Sequence, residues 1–136
     1  MNVTIRRATA GDAGEIARLF DDYRVLFGEP SDMLLAHTPE EQCVGFAQLY
    51  PSFSSVSAGR VWILNDLFVT ESARGMGIGT KLLGEIEAFG SDSNAKSILV
   101  ETTSSNTGAQ KLYETTGYQE VSDRIFYEQV ISDNKD

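Results

Sequence analysis

The chain has one cysteine, one histidine and three prolines in 136 residues, and the first two shortages each close a class of function. A single thiol, Cys43, forms no internal disulfide, and it falls in an apolar strand pattern that reads as core. With one imidazole, His37, and no Cys/His cluster, no metal site is expected. His37 itself, beside Thr38 and Pro39, reads as a turn residue. Basic residues are short as well. The 11 Lys and Arg against 20 Asp and Glu leave a net charge of -9, which argues against nucleic-acid binding and suits cationic partners or plain solubility. No apolar run is long enough to span a membrane, so no membrane partner is expected. The amino end, MNVTIRRATAGD, lacks an apolar signal core, which predicts a cytoplasmic protein. The length suits a single domain over residues 1–136, with a proper core and no room for a separate substrate domain.

Glycine is in better supply, and three of its copies mark the organising stretch. Val61 to Val69 is β-branched, aromatic and aliphatic, the composition of a strand buried on both faces. Ile78, Leu82, Leu83, Ile86 and Phe89 then recur at helical spacing, so the period switches across Gly75, Gly77 and Gly79. Alternate glycines before a helix curl the backbone until several N–H groups face one concavity, where the helix N-terminus adds positive potential. That describes a phosphate cradle with Arg74 at its lip. A Walker loop is excluded, because Thr80 stands five residues after Gly75 and Lys81 follows it. A dinucleotide fingerprint fits poorly, since the glycines alternate strictly and Thr70 to Arg74 separate them from the strand. Glu101, ending the next strand, stands roughly where a ribose-binding acid would, which keeps that reading open. A tight connection with no ligand is the remaining alternative.

The rest of the chain supplies support. Val3, Ile5 and Arg7 alternate as a first strand, and Thr9-x-x-Asp12 resembles a capping box that opens a helix with the apolar face Ile16, Leu19, Phe20, Tyr23 and Phe27. Gly28, Glu29 and Pro30 stop it. Met33 to Ala36 and Cys43 to Tyr50 read as a hairpin ended by Pro51, followed by a serine-rich loop from Ser52 to Ser57. Beyond the central helix, Gly90 reads as a C-cap and Ser97 to Glu101 as a strand parallel to the central one. Ser105 or Asn106 caps a last helix with the inward face Ala109, Leu112 and Tyr113, ended by Gly117. Tyr118 to Val121 and Ile125 to Ile131 read as two closing strands.

Two blocks carry a family resemblance. Arg74-x-x-Gly77-x-Gly79 matches Arg/Gln-x-x-Gly-x-Gly/Ala, and Asn106-x-x-Ala109-x-x-Leu112-Tyr113-x-x-x-Gly117-Tyr118 matches Asn-x-x-Ala-x-x-Leu/Phe-Tyr-x-x-x-Gly-Phe/Tyr, in the right order. The chain thereby resembles the GNAT superfamily of N-acetyltransferases from end to end, nearest its histone and polyamine acetylating branch. The resemblance implies an α/β fold with a mixed, mostly antiparallel sheet and one parallel, splayed pair. One family element is missing: a second helix before the second strand, where only Gly28 to Asp32 intervene. The resemblance further implies acetyl-CoA as co-substrate. Its diphosphate would meet Arg74, Gly75, Met76, Gly77, Ile78, Gly79 and Thr80, its pantetheine the backbone of Leu67, Phe68 and Val69, and its arm Asn106, with Tyr113 also among the cofactor-binding residues. Asn106 as a plain helix cap is the alternative. Family members often form homodimers.

Acetyl transfer to an amine needs a neutral nucleophile, a polarised carbonyl and a proton for the departing thiolate. Tyr113, with a reference pKa of about 10, holds such a proton at neutral pH, or is simply core. A strand bulge at Leu67 to Val69 would turn an N–H toward the carbonyl. Asn65 and Asp66 occupy the place where many polyamine and diamine acetyltransferases have Glu-Asp. This leaves Asp66 as the base, or as a strut for a neighbouring loop, with water as an alternative proton relay. Glu101 reads as a strand-end cap or a water-holding acid. The function read from these residues is direct acetyl transfer to a primary amine, on a polyamine-like small molecule or on a protein. A non-catalytic acyl-CoA-binding or interaction module is the alternative.

Overall fold

A computed structural model describes residues 2–12, 32–54 and 58–132. Among the described residues five strands form one sheet in sequence order: β1 (Thr4–Arg7), β2 (Asp32–His37), β3 (Cys43–Ser54), β4 (Gly59–Val69) and β5 (Ser97–Val100). The first three pairings are antiparallel and β4 with β5 is parallel, the expected mixed sheet. Helix α1 (Ile78–Asp92) supplies the crossover between the parallel strands, and α2 (Thr107–Thr115) follows β5. The predicted first helix from Ile16 to Phe27 lies outside the described residues, and so does the expected lack of a second helix over Gly28 to Asp32, of which only Asp32, the first residue of β2, is described.

Apolar spacing decides which face α1 presents. Ile78, Leu82, Leu83 and Ile86 are buried against Leu34, Ala47, Leu49, Trp62 and Leu64 of the sheet. Full burial of such a side chain contributes roughly 1.5–3 kcal/mol. The opposite face carries a smaller cluster of Met33, Leu35, Cys43 and Phe46, so Cys43 is core as expected. Trp62 ties the end of α1 to β4, stacking on Phe89 at 4.8 Å and donating its indole N–H to Ser93 Oγ at 2.8 Å.

Several boundaries differ from the sequence reading, each for a physical reason. β3 runs through Pro51 to Ser54, because beyond Leu49 its only described partner is β4, and an edge tolerates the N–H that proline lacks. Three residues of the expected Ser52–Ser57 loop are therefore strand. His37 is the buried last residue of β2, not a turn residue. Gly90 is no C-cap: it is buried inside α1, where a Cβ would lie 3.1 Å from Ile98 Cδ1, so it lets helix and β5 approach. Ser93 is the cap.

The two closing strands are not formed. Tyr118 to Ile131 has no strand structure, and Ile125 to Tyr127, Val130 and Ile131 are all exposed. A β-rich composition makes a strand only where an edge receives it. No described helix is long and apolar enough to cross a membrane.

Candidate functional site

The site begins at a fault in β4. Gln48 pairs with Asp66 but Leu49 pairs with Leu64, so Asn65 is an extra residue bulged out of the ladder. The expected bulge thus lies at Asn65 rather than at Leu67 to Val69. It shifts the pleat by one: Trp62 and Leu64 face α1 before it, Leu67 and Val69 after it, while Asp66 and Phe68 share the other face. The pairing of β4 with β5 ends at the same level, with Leu64 opposite Val100. Leu67 to Val69 consequently run on with no described strand on that side, the splay the sequence led us to expect.

Beyond the splay the backbone turns into α1. Gly75 and Gly77 adopt φ of 78° and 77°, the left-handed region that a side chain strains. Gly77 is the N-cap, so the N–H groups of Gly77 to Thr80 have no partner one turn back. Arg74 is held at the lip by its Nε, which donates to Val69 O at 2.9 Å, with its guanidinium 5.8 Å from the Phe68 ring centre. Its backbone N–H donates to Glu71 O, so the free donors start after Arg74. A concavity of about 250 Å³ results, lined by Val69, Arg74, Gly75, Gly77 and the first turn of α1.

Ala73 and Leu112 also line it, and the sequence reading did not place them there. Leu112 was legible only as an inward helix residue. Its Cδ2 would lie 3.4 Å from a Cβ at Gly79, so this third glycine makes room for a neighbour and not for a turn.

Of the other candidates, Met76, Leu67, Phe68, Asp66, Asn106 and Tyr113 do not line the cradle. Asp66 is 7% exposed and accepts from Asn65 Nδ2 at 2.8 Å. Asn106 caps α2, its Oδ1 accepting from Ala109 N at 3.1 Å. Tyr113 packs on Tyr118 with ring centres 5.6 Å apart, and burial raises its phenol pKa. Tyr118 is raised further, to about 12, by burial and then by Tyr113 and Glu87. Glu101 is exposed just past β5. Gln48, the residue facing Asp66, was missed, although a lone amide in CVGFAQLY was a signal.

A splayed parallel pair opens onto a helix N-terminus here, and comparison with known proteins decides what family the arrangement belongs to. The model of the acetyltransferase (GNAT) family matches residues 5–118. The chain belongs to the GNAT family of N-acetyltransferases. It is 36% identical over 142 residues to the uncharacterised N-acetyltransferase YhfO of Bacillus subtilis, covering 92% of this chain and 95% of that one. It is 28% identical to the thialysine N-epsilon-acetyltransferase of Bos taurus, covering 89% and 86%. A crystal structure of a probable acetyltransferase superposes with a TM-score of 0.86 at 35% identity, covering 96% of this chain and 99% of the other. GNAT enzymes draw on acetyl-CoA, and the cradle fits its diphosphate. No described atom lies within 4 Å of the Cβ positions of Gly75 and Gly77, so the space above the free N–H groups is open.

Proposed function

We propose that this GNAT enzyme transfers acetyl from acetyl-CoA directly to a primary amine on a small cationic molecule. The observation that carries the reading is the coincidence of three features: the Asn65 bulge, the parting of β4 from β5 after Leu64, and the glycine-lined N-terminus of α1. The N–H groups from Gly75 to Thr80 would hold the diphosphate, with Met76 at the rim. The open backbone of Leu67 to Val69 would hold the pantetheine, and Asn106 the cofactor arm beside its capping role. Acetyl-CoA supplies an activated thioester. The protein's own groups move protons: Asp66 takes one from the incoming ammonium, and Tyr113, kept protonated by burial, gives one to the departing thiolate.

The acceptor class rests on charge and kinship. A net charge of -9 attracts polycations, and a relative named for thialysine acts on a lysine-like amine. A polyamine or diamine suits both, and a protein amine is the next choice. A panel of amines assayed for free CoA thiol tests the reading; release with one class identifies the acceptor. One observation favours a second reading. Asn65 stands where related acetyltransferases carry a glutamate, as in a domain that binds acyl-CoA without turning it over. Tight CoA binding with no thiol release across the panel would select it.

A further inference from the structure

Asn65 and Asp66 are neighbours in sequence, and their side chains meet. Successive side chains of a regular strand point to opposite faces, so adjacent residues do not bond to each other. The fault in β4 lifts that restriction. Asn65 lies outside the register that pairs Leu64 with Leu49 and Asp66 with Gln48, and a bulge re-aims the side chain it carries. Asn65 Nδ2 donates to Asp66 Oδ2 at 2.8 Å, the length of a hydrogen bond to an ionised acceptor. Because an ionised carboxylate only accepts, the donor end of the amide is the end that must face it.

The two partners differ in exposure. Asn65 is exposed at the level where β4 parts from β5, whereas Asp66 is buried beside the Phe46 and Phe68 rings. Orientation is what such a bond supplies. It pins Oδ2 and with it the tilt of the carboxyl plane, while a carboxylate with about four lone-pair sites still accepts from an ammonium. A glutamate at this position would bring a second negative charge to Asp66; an amide brings a donor.

We propose that Asn65 is a positioning residue for acetyl transfer, which rests on Asp66 being the base of that reaction. Asn65 holds the Asp66 carboxylate at the angle from which it takes a proton of the acceptor ammonium. The proton moves from nitrogen to Asp66, the nitrogen lone pair is left to attack the thioester, and Asn65 keeps its own protons throughout. Such placement matters steeply, since a shift of about 1 Å can cost about 10²-fold in rate. The amide is thus part of the catalytic arrangement and not a mark of its loss.

Two measurements test this. The first needs no acceptor: in NMR spectra of the isotope-labelled chain, the Asn65 side-chain amide protons should exchange more slowly than those of Asn94, which is also exposed. That protection should vanish in Asp66→Ala. Asn65 protons that exchange like those of Asn94 overturn the proposal. The second measures free CoA thiol with spermidine and with putrescine as acceptors, for Asn65→Ala, Asp66→Asn and the double variant. Asn65→Ala should lower kcat roughly tenfold with KM for acetyl-CoA unchanged, and the double variant should be no slower than Asp66→Asn, where nothing is left to position. Losses that add overturn the proposal, because Asn65 then acts on its own. So does parent kcat in Asn65→Ala with a lowered Tm, which means a structural bond only. If Asp66→Asn turns over at the parent rate, the base assignment fails and the role of Asn65 falls with it. Absence of thiol release by the parent chain with either amine instead fails the transferase reading, and again takes the role of Asn65 with it.

Discussion

Gln48 and Asp66 stand directly opposite each other across β3 and β4, and they are the most deeply buried polar side chains among the described residues. Two residues along both strands, Phe46 stands against Phe68, with ring centres 5.5 Å apart, and on the other side of the pair is the Asn65 bulge. A carboxylate thus sits where the ladder breaks, in an apolar surround that makes an unneeded charge costly. The proposed role of Asp66 as the base rests on that placement.

Asp66→Asn keeps size and polarity, so the fold and the acetyl-CoA affinity should survive. Loss of a positioned base should lower kcat/KM at neutral pH by about 10². Activity should recover as pH rises and the acceptor amine loses its proton unaided. A pH–rate profile separates the roles: if Asp66 is only a strut, the variant's profile parallels the parent's and only its melting temperature falls.

The glycines of the cradle and of α1 answer differently to one methyl group. Gly77→Ala places a side chain at a left-handed residue and should lower stability by about 1–2 kcal/mol, while the shift in Tm on adding acetyl-CoA shrinks or disappears. Gly84 lies mid-helix, exposed, with nothing within 4 Å of a Cβ. Gly84→Ala should therefore raise stability by about 0.5–1 kcal/mol with the acetyl-CoA response intact. Thermal melts with and without acetyl-CoA read both.

The cradle was legible in the sequence because a change of period from strand to helix and a run of alternate glycines are both local signals. The bulge at Asn65 was not, since it exists only in the register between β3 and β4. The same reason hid the reach of β3 through Pro51, which depends on what lies beside it. Gly90 misled because glycine near a helix end resembles a cap, whereas here the close approach of Ile98 requires it. The segment beyond Tyr118 reads as strand by composition alone, yet it pairs with no strand among the described residues.

Acid should unlock the first turn of the chain. Arg6 holds Asp12 through two hydrogen bonds of 2.9 and 2.8 Å, and Thr9 N–H adds a third at 2.7 Å. The Arg6 hydrogen bond, then the Thr9 backbone, keep the Asp12 carboxyl well below the usual carboxylate range. Because the folded pKa is depressed, this stabilisation is complete above the unfolded value near 4 and is lost as pH falls below it. Asp12→Asn should lower the melting temperature at pH 7, and the gap from the parent should narrow progressively below about pH 4.

Salt should reveal whether charge guides the acceptor. With a net charge of -9, kcat/KM for a polyamine should fall as ionic strength rises, since exposed charges are screened over about 10 Å at 0.1 M. A neutral amine should show no such slope. A flat profile with a polycation would remove the steering argument and leave acetyl transfer standing.

Tyr113 and Tyr118 form a matched pair for the last prediction, because their rings pack at a 54° tilt and only one hydroxyl has proposed work to do. Burial raises the Tyr113 pKa, so the phenol stays protonated throughout the neutral range and its donation needs no pH window. Tyr113→Phe preserves the ring, its packing and acetyl-CoA affinity, and should lower kcat by about 10², the low end for general acid catalysis because a thiolate leaves readily. Tyr118 Oη is buried with no hydrogen-bond partner among the described residues. Such a group costs about 1–3 kcal/mol in lost hydration, so Tyr118→Phe should be neutral or stabilising and should leave kcat unchanged. Steady-state rates and melts of the two variants side by side distinguish chemistry from packing. Parent turnover in Tyr113→Phe with a good acceptor would mean that the proton comes from solvent and that Tyr113 serves the core.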